Sequence, residues 1–176
     1  MPKPRDAQRQ RVYDGQRELK AKIMAGPTFE TLEECAKFVA KVCDYAAIER
    51  RYGPQLQRTI TVSPKHSGYA TGGYHEIRLP TWAWNKLTIL HELAHVITQR
   101  KYGETVQAHG REYCAIYLDL VRFALGKKEH DELVAGFKRA KVKYRPKRTM
   151  TEEARAAASK RLAAARAEAK KEMTAT

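Results

Sequence analysis

The chain has 176 residues, of which 43% are hydrophobic, and its 34 Lys and Arg against 20 Asp and Glu give a formal net charge of +14. This length fits one domain of ordinary size, and the hydrophobic fraction is high enough to form a core, which excludes wholesale disorder. No stretch reaches the roughly 18 to 20 apolar residues that cross a bilayer, and the basic N-terminus lacks the apolar segment of a signal peptide. Three cysteines without a CxxC pair argue against a secreted disulfide scaffold, so we expect a cytoplasmic protein with no membrane partner.

The positive charge is concentrated at the two ends of the chain. Residues 1–25 carry a net charge of +4 and residues 136–176 carry +9, whereas residues 26–135 carry only +1. Basic arms on a nearly neutral body are typical of proteins that meet phosphates or carboxylates, which makes nucleic acid a candidate partner of both arms. A solvated tail that aids solubility explains the same pattern equally well.

Hydrophobic spacing predicts two helices before the centre of the chain. The first is expected from Asp6 to Met24, where Gly26-Pro27 then breaks the chain. Thr31 is the expected N-cap of the second, because Glu34 three residues later completes a capping box. This second helix is expected to end at Arg50–Pro54, which combines basic residues, a glycine and a proline.

Residues 56–79 show the features of strands rather than helices. One strand is expected near Leu56–Val62 and another at Tyr74–Leu79. The glycine-rich segment Gly68–Gly73 supplies turns, with a short middle strand as an option. These residues therefore predict a small antiparallel sheet between helices.

Helical patterns return after the strands. Helices are expected from Pro80 to Tyr102, from His109 to Leu125 and from Glu129 to Tyr144. Beyond Pro146, the segment Thr149–Met173 is rich in Ala, Lys, Arg and Glu but has little to bury, so we expect a projecting basic helix. The predicted fold class is α+β, with a domain at 1–145 and a basic helical tail at 146–176.

The segment His91-Glu92-Leu93-Ala94-His95 carries the clearest chemical pattern. Residues four apart lie on one face of a helix, so His91 and His95 can bind one cation. Glu92 lies beside this pair, angled away from direct ligation, and can act as a general base toward a water molecule. Six His and fifteen Glu in this chain give about 0.02 chance matches to HExxH. Two core histidines satisfied by hydrogen bonds are the alternative, and the metal site is favoured.

A catalytic zinc normally has three protein ligands and one position open for water. His109 is the favoured third ligand, since it lies fourteen residues after His95 at the start of the next predicted helix. Glu112 is the alternative, because it shares a helix face with His109 and would complete a His₂Glu site. Glu104 is a weaker candidate.

These motifs resemble a known enzyme family. HELAH at 91–95, followed by His109-Gly110-Arg111-Glu112-Tyr113, resembles the SprT-like branch of the zincin metallopeptidases, in which HExxH is followed by a histidine in an HGxxF/Y segment. Together with Arg5–Tyr13, the motifs are similar to a family of HExxH metallohydrolases from actinobacteria and their phages, over residues 5 to about 126. Lys101 stands where metzincins have a third histidine, and the chain has no CxxC zinc ribbon.

The resemblance implies one zinc ion bound by His91, His95 and His109, with Glu92 as the catalytic base. It also implies a minimal zincin-like fold, in which a small sheet lies beside the HExxH helix. In some SprT-like proteins the enzyme is linked to DNA, which agrees with the basic ends of this chain.

The predicted function is hydrolysis of a peptide or protein substrate by zinc-activated water, with Glu92 as general base. Tyr113 and His75 are candidate oxyanion donors or substrate contacts. The strand Gly73–Leu79 is a candidate for pairing with an extended substrate. The alternative is a nucleic-acid- or protein-binding module whose zinc site is structural or inactive.

Overall fold

The structure is a computed structural model that describes residues 4–26, 28–53 and 60–145, together with Ser159. The chain divides into the units Met1–Pro146 and Lys147–Thr176. The basic helix predicted within 146–176 lies outside the described residues, apart from Ser159, and stays a prediction. No described helix combines the length and the apolar composition needed to cross a bilayer.

The described residues form six α-helices, and they confirm that each segment with helical spacing between residues 6 and 145 contains a helix. Their bounds are α1 Arg9–Met24, α2 Leu32–Cys43, α3 Ala46–Tyr52, α4 Lys86–Tyr102, α5 Arg111–Ala124 and α6 Lys127–Arg139. The fold class α+β is confirmed as well, because a three-stranded sheet precedes α4.

The sheet consists of β1 Thr61–Pro64, β2 Thr71–Gly72 and β3 Glu76–Leu79, in the order β1-β3-β2. β3 pairs with β2 in antiparallel orientation and with β1 in parallel orientation. The prediction of an antiparallel sheet is therefore wrong for the β1–β3 pair.

The mixed topology follows from the connection between β1 and β3. The chain between them already contains β2, which turns back into β3 through a short glycine-containing turn. β3 therefore runs opposite to β2 and fits between the other two strands. As the central strand, β3 has partners along both edges, so it cannot pair with a substrate. Among the described residues, the unpaired outer edges of the sheet belong to β1 and β2.

Two of the predicted helices differ in their bounds. The capping box of Thr31 and Glu34 is confirmed, but the expected single helix is divided into α2 and α3 at Tyr45, whose extended backbone (φ −62°, ψ 121°) interrupts the helical hydrogen bonds. The HExxH helix begins at Lys86 rather than Pro80, because Asn85 accepts a hydrogen bond from the backbone N–H of Thr88 and caps it.

The HExxH helix α4 lies in the middle of the core. It contacts α1, α2 and α5 as well as strands β2 and β3, so it is covered on several sides. Eleven of its 17 residues are buried, including His91 and Glu92. A helix with so many packed neighbours holds its side chains in fixed positions.

Helix α1 packs closely against α6 through two glycines. A Cβ atom added to Gly136 would lie 1.9 Å from the carbonyl oxygen of Gly15, and one added to Gly15 would lie 2.7 Å from Cδ1 of Phe137. The two helix backbones therefore touch, with no room for a side chain between them. This contact fixes the position of α1, which also reaches α4.

Candidate metal centre

Three histidines converge in the core beside α4. His91 and His95 come from successive turns of α4, and their ring centroids are 5.0 Å apart. His109 comes from the segment before α5, and its ring lies 5.2 Å from that of His91 and 4.7 Å from that of His95. One nitrogen from each ring lies within 4.8 Å of the others, so the three could hold a metal ion. The structure thus brings together the three residues that the sequence favours as ligands.

Two of the histidines are oriented by hydrogen bonds on the side away from this cluster. Nδ1 of His109 lies 2.7 Å from the carboxylate of Asp6, and Nδ1 of His91 lies 3.3 Å from Oε1 of Gln16. The same amide oxygen accepts a hydrogen bond from the hydroxyl of Tyr117. Both partners are acceptors, so each Nδ1 carries the proton and donates it, which leaves both Nε2 atoms as lone pairs.

The separation of those two Nε2 atoms fits a shared metal ion. They lie 3.3 Å apart and face each other in the buried cluster. Two nitrogen ligands at about 2.0–2.1 Å from a tetrahedral zinc ion are separated by roughly 3.3–3.4 Å. Two lone pairs at this distance repel each other unless a cation lies between them, so the donor set and its spacing both fit zinc.

Burial keeps all three imidazoles in the neutral form that binds metal. It lowers the pKa of His91 well below its usual value and that of His95 to about 3, with a further contribution from the neighbouring rings. It also lowers the pKa of His109, although the carboxylate of Asp6 opposes the shift. No proton therefore competes with a metal ion for these nitrogens near pH 7.

Glu92 lies next to the cluster with 6% of its surface exposed. Burial raises the pKa of its carboxyl group to about 7, while a hydrogen bond from the backbone N–H of Gly72 and the charges of Lys65 and Lys20 act in the opposite direction. A carboxyl group with a pKa near the working pH can both accept and return a proton, as a general base must. Its environment is therefore suited to the role predicted from the motif.

Strand β2 lies directly against the HExxH motif. A Cβ atom added to Gly72 would lie 2.1 Å from the carbonyl oxygen of Glu92 and 3.1 Å from Cβ of His95. Only glycine allows this approach, which also brings the Gly72 N–H to the Glu92 carboxylate. The edge strand and the catalytic candidates thus form one structural unit.

The other predicted residues lie in different places. Tyr113 is fully buried, with its ring stacked 4.4 Å from that of His95 and its hydroxyl donating to the backbone carbonyl of His91 (3.3 Å). His75 lies beside Arg100, 3.4 Å from its guanidinium group, outside the cluster. The roles of these two residues as oxyanion donors or substrate contacts stay predictions.

The alternative third ligands are not in the cluster. Among the described residues, the group of side chains that could hold a metal at this place consists of the three histidines alone. Glu112 instead lines a groove with Tyr102 on another side of α5, and Glu104 lines a small cavity near His95. Glu112 lies in the first turn of α5, and its carboxylate lies near Gly110 rather than in the cluster.

The N-terminal segment contains functional residues that sequence reasoning missed. Asp6 and Gln16 lie about 100 and 75 positions from the histidines that they contact, so no local spacing reveals them. The amide of Gln8 donates to the carbonyls of His109 (2.6 Å) and Lys143 (3.0 Å), which ties this segment to the cluster. From the sequence, Asp6 had no assigned role, although the segment Arg5–Tyr13 resembles that of HExxH metallohydrolases.

A cavity of about 620 Å³ opens next to the cluster. The cavity is lined by His91 and by the candidate base Glu92, together with side chains from α1 and from the segment before α4. Arg9, Tyr13, Gln16, Lys20 and Trp82 line the cavity together with His91 and Glu92. A substrate in this cavity would meet the metal position and the carboxylate of Glu92 together.

The comparisons with known proteins add no relative. No protein-family model, no curated protein and no solved structure matches this chain. What stands is a buried cluster of three histidines, with the geometry of a metal site, in a mostly helical α+β fold. Any statement about activity must therefore be argued from the site itself.

Proposed function

We propose that this protein is a zinc-dependent metallopeptidase of the zincin type, similar to SprT-like enzymes. The observation that carries the proposal is the convergence of His91, His95 and His109 with two Nε2 atoms 3.3 Å apart, beside the buried carboxyl group of Glu92. Three imidazoles leave one position of a tetrahedral ion open, which distinguishes a catalytic zinc site from a closed structural one.

Hydrolysis would require residues that bind the metal, residues that orient the ligands and a residue that transfers a proton. His91, His95 and His109 would hold the ion, with Asp6 and Gln16 fixing two of the rings. When bound there, zinc supplies Lewis-acid polarisation of a substrate carbonyl and of a water molecule. Glu92 would accept the proton of that water on its carboxylate and then return it to the departing amine.

The sheet offers a place for an extended peptide. Within the described residues, the outer edge of β2 has no partner strand, and β2 lies against Glu92. Backbone groups along an unpaired edge can bind an extended chain by strand addition. This arrangement favours a peptide over a small amide as the substrate.

Replacing Glu92 with Gln tests the proposal most directly. We expect the Glu92→Gln variant to fold and to bind about one zinc per chain but to lose peptide hydrolysis, because the amide cannot accept a proton. Zinc content and cleavage of a broad peptide pool are measured on the same samples. His109→Ala is the companion variant, and it should lose zinc as well as activity. Equal hydrolysis by wild type and Glu92→Gln would reject the proposal.

A second candidate function is a nucleic-acid- or protein-binding module whose zinc is structural. It is favoured by the charge distribution, since residues 136–176 carry a net charge of +9. Removal of residues 146–176 should then weaken salt-dependent retention on a phosphate-bearing matrix, because each phosphate contact releases counterions. Unchanged retention after this deletion would count against the tail as a phosphate-binding arm.

A further inference from the structure

One face of α1 forms a wall of the cavity beside the three histidines. Arg9, Tyr13, Gln16 and Lys20 follow one another at intervals of four, three and four residues, which places them on one side of a helix. All four line the cavity. We call these four residues the α1 wall.

The middle of the α1 wall faces the metal position. The ring of Tyr13 stacks on that of His91 with centroids 5.5 Å apart, and Gln16 accepts the hydrogen bond from the same histidine. Arg9 lies one turn before Tyr13, and Lys20 lies one turn after Gln16. The two cations therefore flank the catalytic position, with their backbones about 16 Å apart along the helix axis.

In the part of the chain that the structure describes, neither cation has a carboxylate at ion-pair distance. The guanidinium of Arg9 lies over the ring of Tyr13 (5.7 Å), and the ammonium of Lys20 lies over the ring of Trp82 (5.1 Å). These aromatic contacts hold the cations at the cavity without neutralising them. Lys20 is half-buried, and this burial lowers its pKa, while the charge of Glu92 opposes the shift.

The acidic groups of the cavity are engaged elsewhere. The carboxylate of Asp6 binds Nδ1 of His109, and that of Glu92 lies deep against Gly72. The charge of Lys65 also acts on Glu92, which adds a third cation near the site. The charge of Glu92 attracts that of Lys20, although the two groups form no ion pair. An anionic group that enters the cavity would thus meet two cations that no ion pair occupies.

We propose that the α1 wall selects peptide substrates that carry carboxylate side chains on both sides of the cleaved bond, one bound by Arg9 and the other by Lys20. An extended peptide advances about 3.3 Å per residue, and only side chains an even number of residues apart point to the same face. Because the guanidinium of Arg9 lies over Tyr13, toward the middle of the wall, two carboxylates four residues apart, at about 13 Å, match the cations. This inference rests on the proposed function, because it takes the histidine cluster as the place of cleavage.

The test compares two degenerate peptide pools, Glu-X₃-Glu and Gln-X₃-Gln, each labelled with fluorescein and amidated at the C-terminus. Binding is measured by anisotropy on the zinc-loaded full-length Glu92→Gln protein at 0.15 M salt, and cleavage is measured on the otherwise unmodified chain. In both backgrounds, Arg9→Gln and Lys20→Gln are compared with Arg11→Gln. Arg11 is exposed on the same helix and does not line the cavity. Because each of the three variants loses one positive charge, Arg11→Gln controls for the change in net charge.

We expect the Glu pool to bind and to be cleaved in preference to the Gln pool. Arg9→Gln and Lys20→Gln should each reduce that preference by roughly three- to tenfold, whereas Arg11→Gln should not, because charge-assisted contacts act only at short range. Equal effects of all three variants, or no preference for the Glu pool, would overturn the inference. A preference seen only with free C-termini would also overturn it, since the terminal carboxylate would then be the group recognised.

Three further outcomes distinguish this inference from the proposed function and from nucleic-acid binding. Acid-selective binding that depends on Arg9 and Lys20, without cleavage of any pool, would support the inference and reject the proposed function. Cleavage without acid selectivity would do the reverse. A single-stranded oligothymidylate that displaces the Glu pool, and whose binding depends on the same two cations more than on Arg11, would replace the peptide with nucleic acid and overturn the inference.

Discussion

The histidines of the centre depend on hydrogen bonds that they make on the side away from the metal position. Asp6 and Gln16 each accept a hydrogen bond from an Nδ1–H group, and this fixes both the tautomer and the rotation of the ring. Without such a partner an imidazole can expose its N–H to the metal position instead of a lone pair. Metal binding by the histidines would therefore also depend on Asp6 and Gln16, which do not contact the ion.

Asp6→Ala should weaken zinc binding without removing a ligand. We expect the affinity to fall by roughly 10- to 100-fold, because His109 loses the acceptor that orients its ring. The measurement is competition with a chelator of known affinity. Asp14→Ala is the matched control, since Asp14 is an exposed residue of α1 that pairs with Arg17 rather than with a histidine of the cluster. Equal zinc affinities of the two variants would show that Asp6 does not orient His109.

Gly72→Ala should affect catalysis more than metal binding. The added Cβ would lie 2.1 Å from the carbonyl oxygen of Glu92, so β2 must move away and withdraw the Gly72 N–H from the Glu92 carboxylate. We expect zinc content to stay near one per chain, hydrolysis to fall sharply, and stability to fall by about 2 kcal/mol.

The neighbouring glycine provides the control for this change. A Cβ atom on Gly73 would make only an ordinary contact, 3.6 Å from the carbonyl oxygen of Glu76. Gly73→Ala should therefore retain hydrolysis and stability. If Gly72→Ala kept the same activity as Gly73→Ala, contact between β2 and α4 would not matter for the base.

At the scale of elements, α1 links the metal centre to the rest of the fold. It carries Gln16 and the cavity wall, its preceding residues carry Asp6, and it is held by a backbone contact with α6 at Gly15 and Gly136. Displacement of α1 would therefore remove two orienting partners at once, although neither α4 nor the histidines would change.

Gly136→Ala tests this link. The added Cβ would lie 1.9 Å from the carbonyl oxygen of Gly15, so the helices must separate, at a cost of about 3 kcal/mol in the free energy of unfolding. Chemical denaturation measures this loss, and we expect weaker zinc binding in the fraction that remains folded. Gly26→Ala is the control, because its nearest contact is 3.5 Å away. Unchanged zinc affinity in a destabilised Gly136→Ala protein would show that α1 and the centre are independent.

The features that could be predicted from the sequence are those encoded by residues a few positions apart. The i, i+4 spacing of His91 and His95 follows from helix geometry alone, and the box of Thr31 and Glu34 is a local pattern, so both agree with the structure. The parallel pairing of β1 with β3 depends on which strand lies between the others, and no local pattern encodes that. The break at Tyr45 has no local signal either, because no glycine or proline lies between Cys43 and Ala46.

At the scale of the molecule, the centre joins three parts of the chain that lie far apart in sequence. The segment before α1 contributes Asp6, α4 contributes two ligands, and the segment before α5 contributes the third. The unfolded chain has no such arrangement, so the free energy of zinc binding adds to the free energy of unfolding. In the absence of a cation, the facing lone pairs of His91 and His109 oppose folding instead.

Zinc should therefore raise the melting temperature of the chelator-treated protein. Free zinc at about 100 times its dissociation constant stabilises the folded state by about 2.7 kcal/mol, which corresponds to a rise of roughly 5–10 °C for a chain of this size. His109→Gln should abolish the rise because it removes a ligand. His130→Gln should retain it, since His130 pairs with Asp131 outside the cluster. An equal rise in both variants would mean that zinc stabilises the protein from a different site, and the cluster would lose its role as the metal centre.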